Sequence, residues 1–154
     1  WRIGFAAADK DLISGMGKLQ SQITSNPTSI SQYAALEAIS GPQDDVEEMR
    51  KTFAERREFL FNALNKIEGV KTANAKGAFY LFPDFSSFFG KSFGDTKIEG
   101  SMDLAMYLIA EAQVATVPGS VFGAEPFIRI AYATSMENLQ EGIKRIKEAV
   151  EKLK

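Results

Sequence analysis

Two arginines stand where strands are expected, and they raise the first chemical question. The chain has six arginines. Arg50, Arg56, Arg57 and Arg145 fall in charged, helix-patterned stretches and need no explanation beyond solvation. Arg2 lies in Trp1-Arg-Ile-Gly-Phe-Ala-Ala-Ala8, on a face shared with Gly4 and Ala6, whose small side chains leave room beside it. Arg129 lies in Phe127-Ile-Arg-Ile-Ala-Tyr-Ala133. A guanidinium buried without a partner is strongly destabilising, so each should meet an anion or a carbonyl. The planar fork suits carboxylate and phosphate, which it can grip with two parallel hydrogen bonds. The pattern therefore points to two anion sites. The alternatives are an ion pair with an Asp or Glu of this chain, or a wet position at a strand end.

The rest of the repertoire is narrow. The 154 residues include no cysteine and no histidine. A disulfide framework, a thiol nucleophile, a Cys/His zinc site and any histidine base are excluded. Asp, Glu, Lys and Tyr remain as acids and bases. The net charge of -2, with 45% hydrophobic and 25% charged residues, gives no strong pull toward nucleic acid or an anionic membrane. No phosphate loop, dinucleotide fingerprint or metal-ligand cluster is present, and the expected metal is none. Weaker candidates are the connection Ser25-Asn26-Pro27-Thr28, the pair Phe79-Tyr80, and the turn Pro118-Gly119-Ser120, which could offer backbone N–H groups to an anion. The aromatic stretch 85–93 could form a lid or a contact surface. Tyr33 and Tyr132 read as structural.

The elements that must position these groups follow from periodicity. Residues 1–8 read as a strand with Trp1, Ile3 and Phe5 on one face. Asp9 can cap a helix carrying Leu12, Met16, Leu19 and Ile23. Ser29 and Gln32 have capping-box spacing and open a short helix that stops at Gly41. Pro42 fits the first turn of a long helix, striped by Val46, Met49, Phe53, Leu60, Leu64 and Ile67 and ended by Glu68-Gly69. Strands are expected over 70–73 and 78–82, the second stopped by Pro83. Residues 84–100 read as a long loop. Ser101 can cap a helix with Met102, Ala105, Leu108 and Ala112 inward. Strands are expected over 114–117 and 127–133, and Thr134 with Glu137 starts a last helix with Leu139, Ile143, Ile146, Val150 and Leu153 on one face. The order predicts a two-layer α/β domain with a small mixed sheet from Pro42 onward. Residues 1–41 have a different texture and read as the tail of another domain. The first residue is Trp rather than Met and begins an apolar run, which suggests a cut product. No signal peptide or membrane-spanning run is visible, and the expected compartment is the cytoplasm.

Several motifs in order resemble a known family. Trp1-Arg2-Ile3-Gly4-Phe5 resembles the segment just after the cofactor lysine of class I aminotransferases, pyridoxal-phosphate (PLP) enzymes of the aspartate aminotransferase fold. Leu19-Gln-Ser-Gln-Ile-Thr-Ser-Asn-Pro-Thr-Ser29 and Gln32-Tyr-Ala-Ala-Leu36 resemble the bacterial aspartate aminotransferase subgroup. Gly77-Ala-Phe-Tyr80, Val117-Pro-Gly-Ser-Val-Phe-Gly123 and Ile128-Arg-Ile-Ala-Tyr-Ala133 resemble later motifs of the same family, so the likeness runs end to end.

The resemblance implies fold type I of the PLP-dependent transferases, with 1–41 the end of the large PLP-binding domain and 42–154 the small C-terminal domain. It implies that Arg2 binds the cofactor phosphate and Arg129 the substrate α-carboxylate, with Phe79 lining the substrate side. Ser25 and Asn26 match a loop near the neighbouring subunit's active site in a homodimer. The implied activity is amino transfer from an amino acid, aspartate first, to a 2-oxo acid, with neither nucleic acid nor membrane as a partner. The family's Schiff-base lysine lies upstream of Trp1, and no lysine here matches it, so no catalytic residue is assigned and the chain alone is expected to be inactive. Two alternatives stay open: a related class I enzyme for aromatic, branched or alanine-type substrates, and a non-catalytic α/β interaction module.

Overall fold

A computed structural model describes residues 2–154. The chain divides into two compact units, Trp1–Glu47 and Glu48–Lys154.

In the first unit the expected opening strand is absent. Residues 2–9 run in irregular backbone, and Trp1 lies outside the described residues. Among the described residues no second strand lies alongside to hydrogen-bond them, so the alternation of apolar residues has nothing to pair with. Helix α1 (Lys10–Ile23) starts as expected: the Asp9 carboxylate accepts from the Asp11 N–H at 3.1 Å. Its stripe of Leu12, Met16, Leu19 and Ile23 faces outward, and α1 contains no buried residue.

Helix α2 (Ser29–Ser40) has Thr28 as its N-cap residue, with no side-chain cap hydrogen bond and no Ser29–Gln32 box. The Gln32 amide instead reaches back to donate to the Pro27 carbonyl at 2.9 Å. Ile30, Tyr33, Leu36 and Ile39 are exposed, so Tyr33 is not a packing residue within this chain. An open apolar groove of about 790 Å³ lies along Ile3, Gly4, Phe5 and the Ala34–Ile39 side of α2.

The long helix α3 (Asp44–Leu64) begins two residues after Pro42 and is favoured by Asp44, Asp45 and Glu47 in its first turn. Gln43 donates to the carbonyls of Ala38 (3.1 Å) and Gly41 (2.8 Å), tying the end of α2 to the segment before α3.

The second unit owns the core. Leu60 and Leu64 of α3, Ile67, Val70, Phe85, Phe88 and Ile98 pack with the sheet and the last helix. Strands β1 (Tyr80–Leu81), β4 (Val117–Pro118) and β5 (Ile128–Ala131) form a sheet in the order β1-β5-β4. Both ladders are antiparallel, which corrects the mixed sheet expected from sequence. The strands are also shorter than expected, and 70–73 contributes only a bridge from Lys71 to Asp84.

Residues 84–100 are not a loose loop. They hold a 3-10 turn (Ser86–Phe88) and a hairpin of β2 (Ser92–Phe93) and β3 (Thr96–Lys97), with Gly94 in the left-handed conformation its turn requires. Phe85 and Phe88 are buried, so this stretch serves the core rather than forming a lid.

Helix α4 (Ser101–Tyr107) continues into a π-helical turn (Leu108–Ala112) closed by Gln113 in the left-handed region. Leu104, Ala105, Tyr107, Leu108 and Ala112 point inward, whereas Met102 is exposed. Helix α5 (Met136–Val150) is capped by Ser135, with Thr134 accepting from the Asn138 amide. It buries Leu139, Ile143, Ile146, Ala149 and Val150. Among the described residues no helix is long and apolar enough to cross a membrane.

Candidate functional site

The sheet of the second unit has two unlike faces, and Arg129 is on the open one. Along β5 burial alternates: Ile128 and Ile130 are buried, Arg129 is half-buried and Ala131 exposed. Register pairs Leu81 with Ile130, Tyr80 with Ala131 and Val117 with Arg129. Cross-strand partners share a face, so Leu81, Ile128 and Ile130 form the core side while Tyr80, Val117 and Arg129 share the other.

Two rings flank the guanidinium. Its central carbon lies 5.3 Å from the Tyr80 ring centroid and 5.1 Å from that of Phe122. Phe122 packs edge-on to Phe82 at 6.1 Å, and Phe82 stacks on Phe127 at 5.1 Å. None of the ion pairs or side-chain hydrogen bonds among the described residues involves Arg129. The structural ion pair, one of the alternatives read from sequence, is therefore absent there. What remains is a cation between two aromatic walls, its donors unspent.

Phe79 is exposed and packs edge-on against Tyr80 at 5.8 Å. Its carbonyl accepts from the Tyr132 N–H at 2.8 Å. Tyr132 is buried, and its hydroxyl donates to the Ala78 carbonyl at 3.0 Å, so Tyr132 is structural. It fastens the segment that delivers Phe79 and Tyr80 to the sheet.

The second wall stands on the turn Gly119–Phe122. A Cβ on Gly119 would come 2.1 Å from the Ala124 carbonyl oxygen and 2.5 Å from that of Phe127, so only glycine fits. The proposed use of this turn as an anion nest fails, because its N–H groups are spent. Gly119 donates to Phe127 O at 2.8 Å and Ser120 to Ser101 Oγ at 3.0 Å.

In the first unit, Arg2 is exposed and has φ +53°, with no ion pair or hydrogen bond among the described residues. It is not embedded in a strand, so the burial argument made from sequence does not apply. Its fork is nonetheless open, and that donor set fits a phosphate group. The irregular segment 2–9 that carries Arg2 holds one described aromatic residue, Phe5, which is exposed. Ser25 and Asn26 are exposed in the α1–α2 connection, with Ser25 at φ +59°. Four described non-glycine residues have positive φ: Arg2, Ser25, Ala78 and Gln113. Gln113 closes a helix. The other three are two candidate site residues and the residue before Phe79, in keeping with the tendency of backbone strain to gather at functional positions. Among the described residues, no group of three or more acidic, histidine or cysteine side chains could hold a metal ion.

Sequence reading missed Tyr80 and Phe122 as the neighbours of Arg129, although both lie in motifs it singled out. A two-residue β1 gives no alternation long enough to rank Tyr80 above Phe79. Phe122 reaches Arg129 only through the turn.

Comparison with known proteins agrees with the motif order. An aspartate aminotransferase from a Bacillus species is 50% identical over 146 residues, covering 95% of this chain and 36% of that protein. An aspartate/prephenate aminotransferase from Cereibacter sphaeroides is 49% identical, covering 95% of this chain and 37% of that protein. The crystal structure of aspartate aminotransferase from Rhizobium meliloti superposes with a TM-score of 0.92 at 43% identity, over 100% of this chain and 39% of that one. The chain thus spans well under half the length of these relatives. The sequence profile for aminotransferase class I and II matches residues 1–146, through both units and every motif around Arg2 and Arg129, and the chain belongs to that family.

Proposed function

We propose that the chain acts as part of a PLP-dependent aminotransferase whose first amino donor is aspartate, with a 2-oxo acid as acceptor. One observation carries the reading: Arg129 is a half-buried guanidinium walled by Tyr80 and Phe122 and paired with no carboxylate of the described chain. A charge held so is prepared for an anion that arrives from outside, and a carboxylate matches its fork. In this role Arg129 holds the substrate α-carboxylate and fixes the orientation of Cα. The aromatic residues Tyr80, Phe122 and Phe79 keep water from the bound carboxylate and so strengthen the contact.

Arg2 is assigned to the cofactor phosphate. When bound, the cofactor supplies the electron sink that the side chains here lack. The chain has no lysine at the family's Schiff-base position, so on its own it is proposed to be inactive. The division at Glu47/Glu48 falls six residues past the 41/42 boundary but supports two units of this kind, with residues 1–41 read as part of a large cofactor-binding domain and 42–154 as the small domain. Ser25 and Asn26 are assigned to a loop near the partner subunit's site in a homodimer, and the compartment to the cytoplasm.

The relative at 49% identity is named for prephenate as well as aspartate, which makes prephenate a second substrate to assay. The test is amino transfer by the complete protein that contains this sequence, supplied with PLP. Aspartate, aromatic, branched and alanine-type donors are compared, along with prephenate. Turnover fastest with aspartate supports the reading. Fastest turnover with another donor transfers the assignment to a related class I enzyme, and no transfer with any donor refutes it.

A further inference from the structure

The walls of Arg129 are not held in the same way. Tyr80 is set by the β1–β5 ladder, through its pairing with Ala131. Phe122 stands on the 119–122 turn, which belongs to no strand. That turn is tied to α4 by a short polar chain. The Ser120 N–H donates to Ser101 Oγ at 3.0 Å, and that hydroxyl donates in turn to Glu125 Oε1 at 2.7 Å. The Glu125 carboxylate also accepts from the Ser101 N–H, at 3.2 and 3.0 Å to its two oxygens.

Ser101 is fully buried, one of two buried polar residues among those described. A buried hydroxyl is costly unless it is satisfied, and this one is satisfied both as donor and as acceptor. Gly100 is the N-cap of α4 and offers no side chain, so the Glu125 carboxylate, 24 residues after Ser101, takes the capping place. The same serine thereby links the helix start, the carboxylate and the turn that carries Phe122.

We infer that Ser101 and Glu125 are positioning residues for Arg129: they lock the 119–122 turn so that Phe122 stays against the guanidinium and the fork is presented ready for a carboxylate. The inference rests on reading Arg129 as the substrate clamp. Ser101 and Glu125 do not touch the substrate in this account. They reduce the freedom that Arg129 must lose when a carboxylate binds, which is affinity gained by preorganisation.

The experiment uses the complete protein with PLP and compares Ser101→Ala, Glu125→Gln and Arg129→Lys by KM, kcat and thermal midpoint. Ser101→Ala leaves the Ser120 N–H without its partner, and KM for the amino acid should rise about tenfold, equivalent to ~1.4 kcal/mol. The rate constant kcat should stay within about twofold, since the reacting atoms are untouched. Glu125→Gln keeps one acceptor oxygen but turns a donor toward the Ser101 N–H, and its KM should lie between the two. In an Arg129→Lys background, adding Ser101→Ala should change KM by less than about twofold, because lysine has no fork to orient.

A lowered thermal midpoint with unchanged KM in Ser101→Ala would overturn the inference and leave Ser101 a structural residue. Additive effects of Ser101→Ala and Arg129→Lys on KM would do the same. Unchanged KM in Arg129→Lys alone would instead sink the clamp reading. Should Ser101→Ala fail to fold, the exposed Glu125→Gln substitution carries the same comparison.

Discussion

Replacing Arg129 by methionine should separate stability from function. The guanidinium makes two ring contacts, at 5.3 and 5.1 Å, and no ion pair among the described residues. At a partly exposed site each ring contact contributes about 0.5–1 kcal/mol, so the loss is roughly 1–2 kcal/mol. Methionine keeps the apolar stem on the sheet and restores about 0.3–1.5 kcal/mol through sulfur–ring contact. It also removes a half-buried charge whose hydration the sheet restricts. The terms nearly cancel, and folding stability should change by less than about 1 kcal/mol, or ~2–4 °C in thermal midpoint for a chain of this size. Function should respond very differently. Loss of a hydrogen-bonded charge pair to the substrate carboxylate costs about 2–5 kcal/mol, a fall of roughly thirtyfold to several thousandfold in kcat/KM. The assay pairs steady-state amino transfer by the complete protein with thermal unfolding followed by circular dichroism. A stability loss above about 3 kcal/mol with intact kcat/KM would refute the reasoning, because Arg129 would then be a structural residue.

Other perturbations test the frame around the site. Gly119→Ala would drive a methyl group into two backbone carbonyls and break the Gly119–Phe127 hydrogen bond, so unfolding in denaturant should show a loss of about 2–4 kcal/mol. A loss under about 0.5 kcal/mol would mean that the turn yields freely. Burial, reinforced by the Glu111 carboxylate, pushes the Tyr107 phenol up, and burial does the same for Tyr132 against a smaller downward pull from Arg57. The folded state therefore holds these protons more tightly than the unfolded chain does. That stability is whole below the unfolded tyrosine value of about 10 and is lost as pH rises through the folded values. Tyr107→Phe should flatten the alkaline limb of a midpoint-against-pH curve, and identical limbs in variant and parent would contradict this. PLP added to the 154-residue chain should give no stoichiometric absorbance band from a single lysine. Such a band would overturn the placement of the Schiff-base lysine outside these residues.

What could be read from sequence followed the strength of local signals. Asp9, Gly41 and the heptad-like spacing of Leu139, Ile143, Ile146 and Val150 marked α1, the end of α2 and α5, because caps and helical periodicity are properties of neighbouring residues. The strands were overextended because each β1 and β4 ladder is two residues long, a length set by tertiary pairing rather than by composition. Residues 2–9 have strand-like alternation without a partner strand. Residues 84–100 lack periodicity, yet they bury Phe85, Phe88 and Ile98 through turns that no pattern announces. At the candidate site, Arg129 was visible as a charge in an apolar run. The links that shape its surroundings, Ser101 to Glu125 and Ser120, span 24 and 19 residues and could not be seen without coordinates.

The π-helical turn at Leu108–Ala112 predicts one place in this fold where a change in length should be tolerated. A π turn holds one residue more than the α turn it replaces. Deleting a single residue there could close it into an α turn while Tyr107 and the residues before it keep their phase against the core. The same deletion within α5 would rotate every later side chain by about 100° and turn Ile146 and Val150 away from the sheet. Among the helices of the second unit, it is the site best suited to absorb a one-residue deletion without a rewritten core.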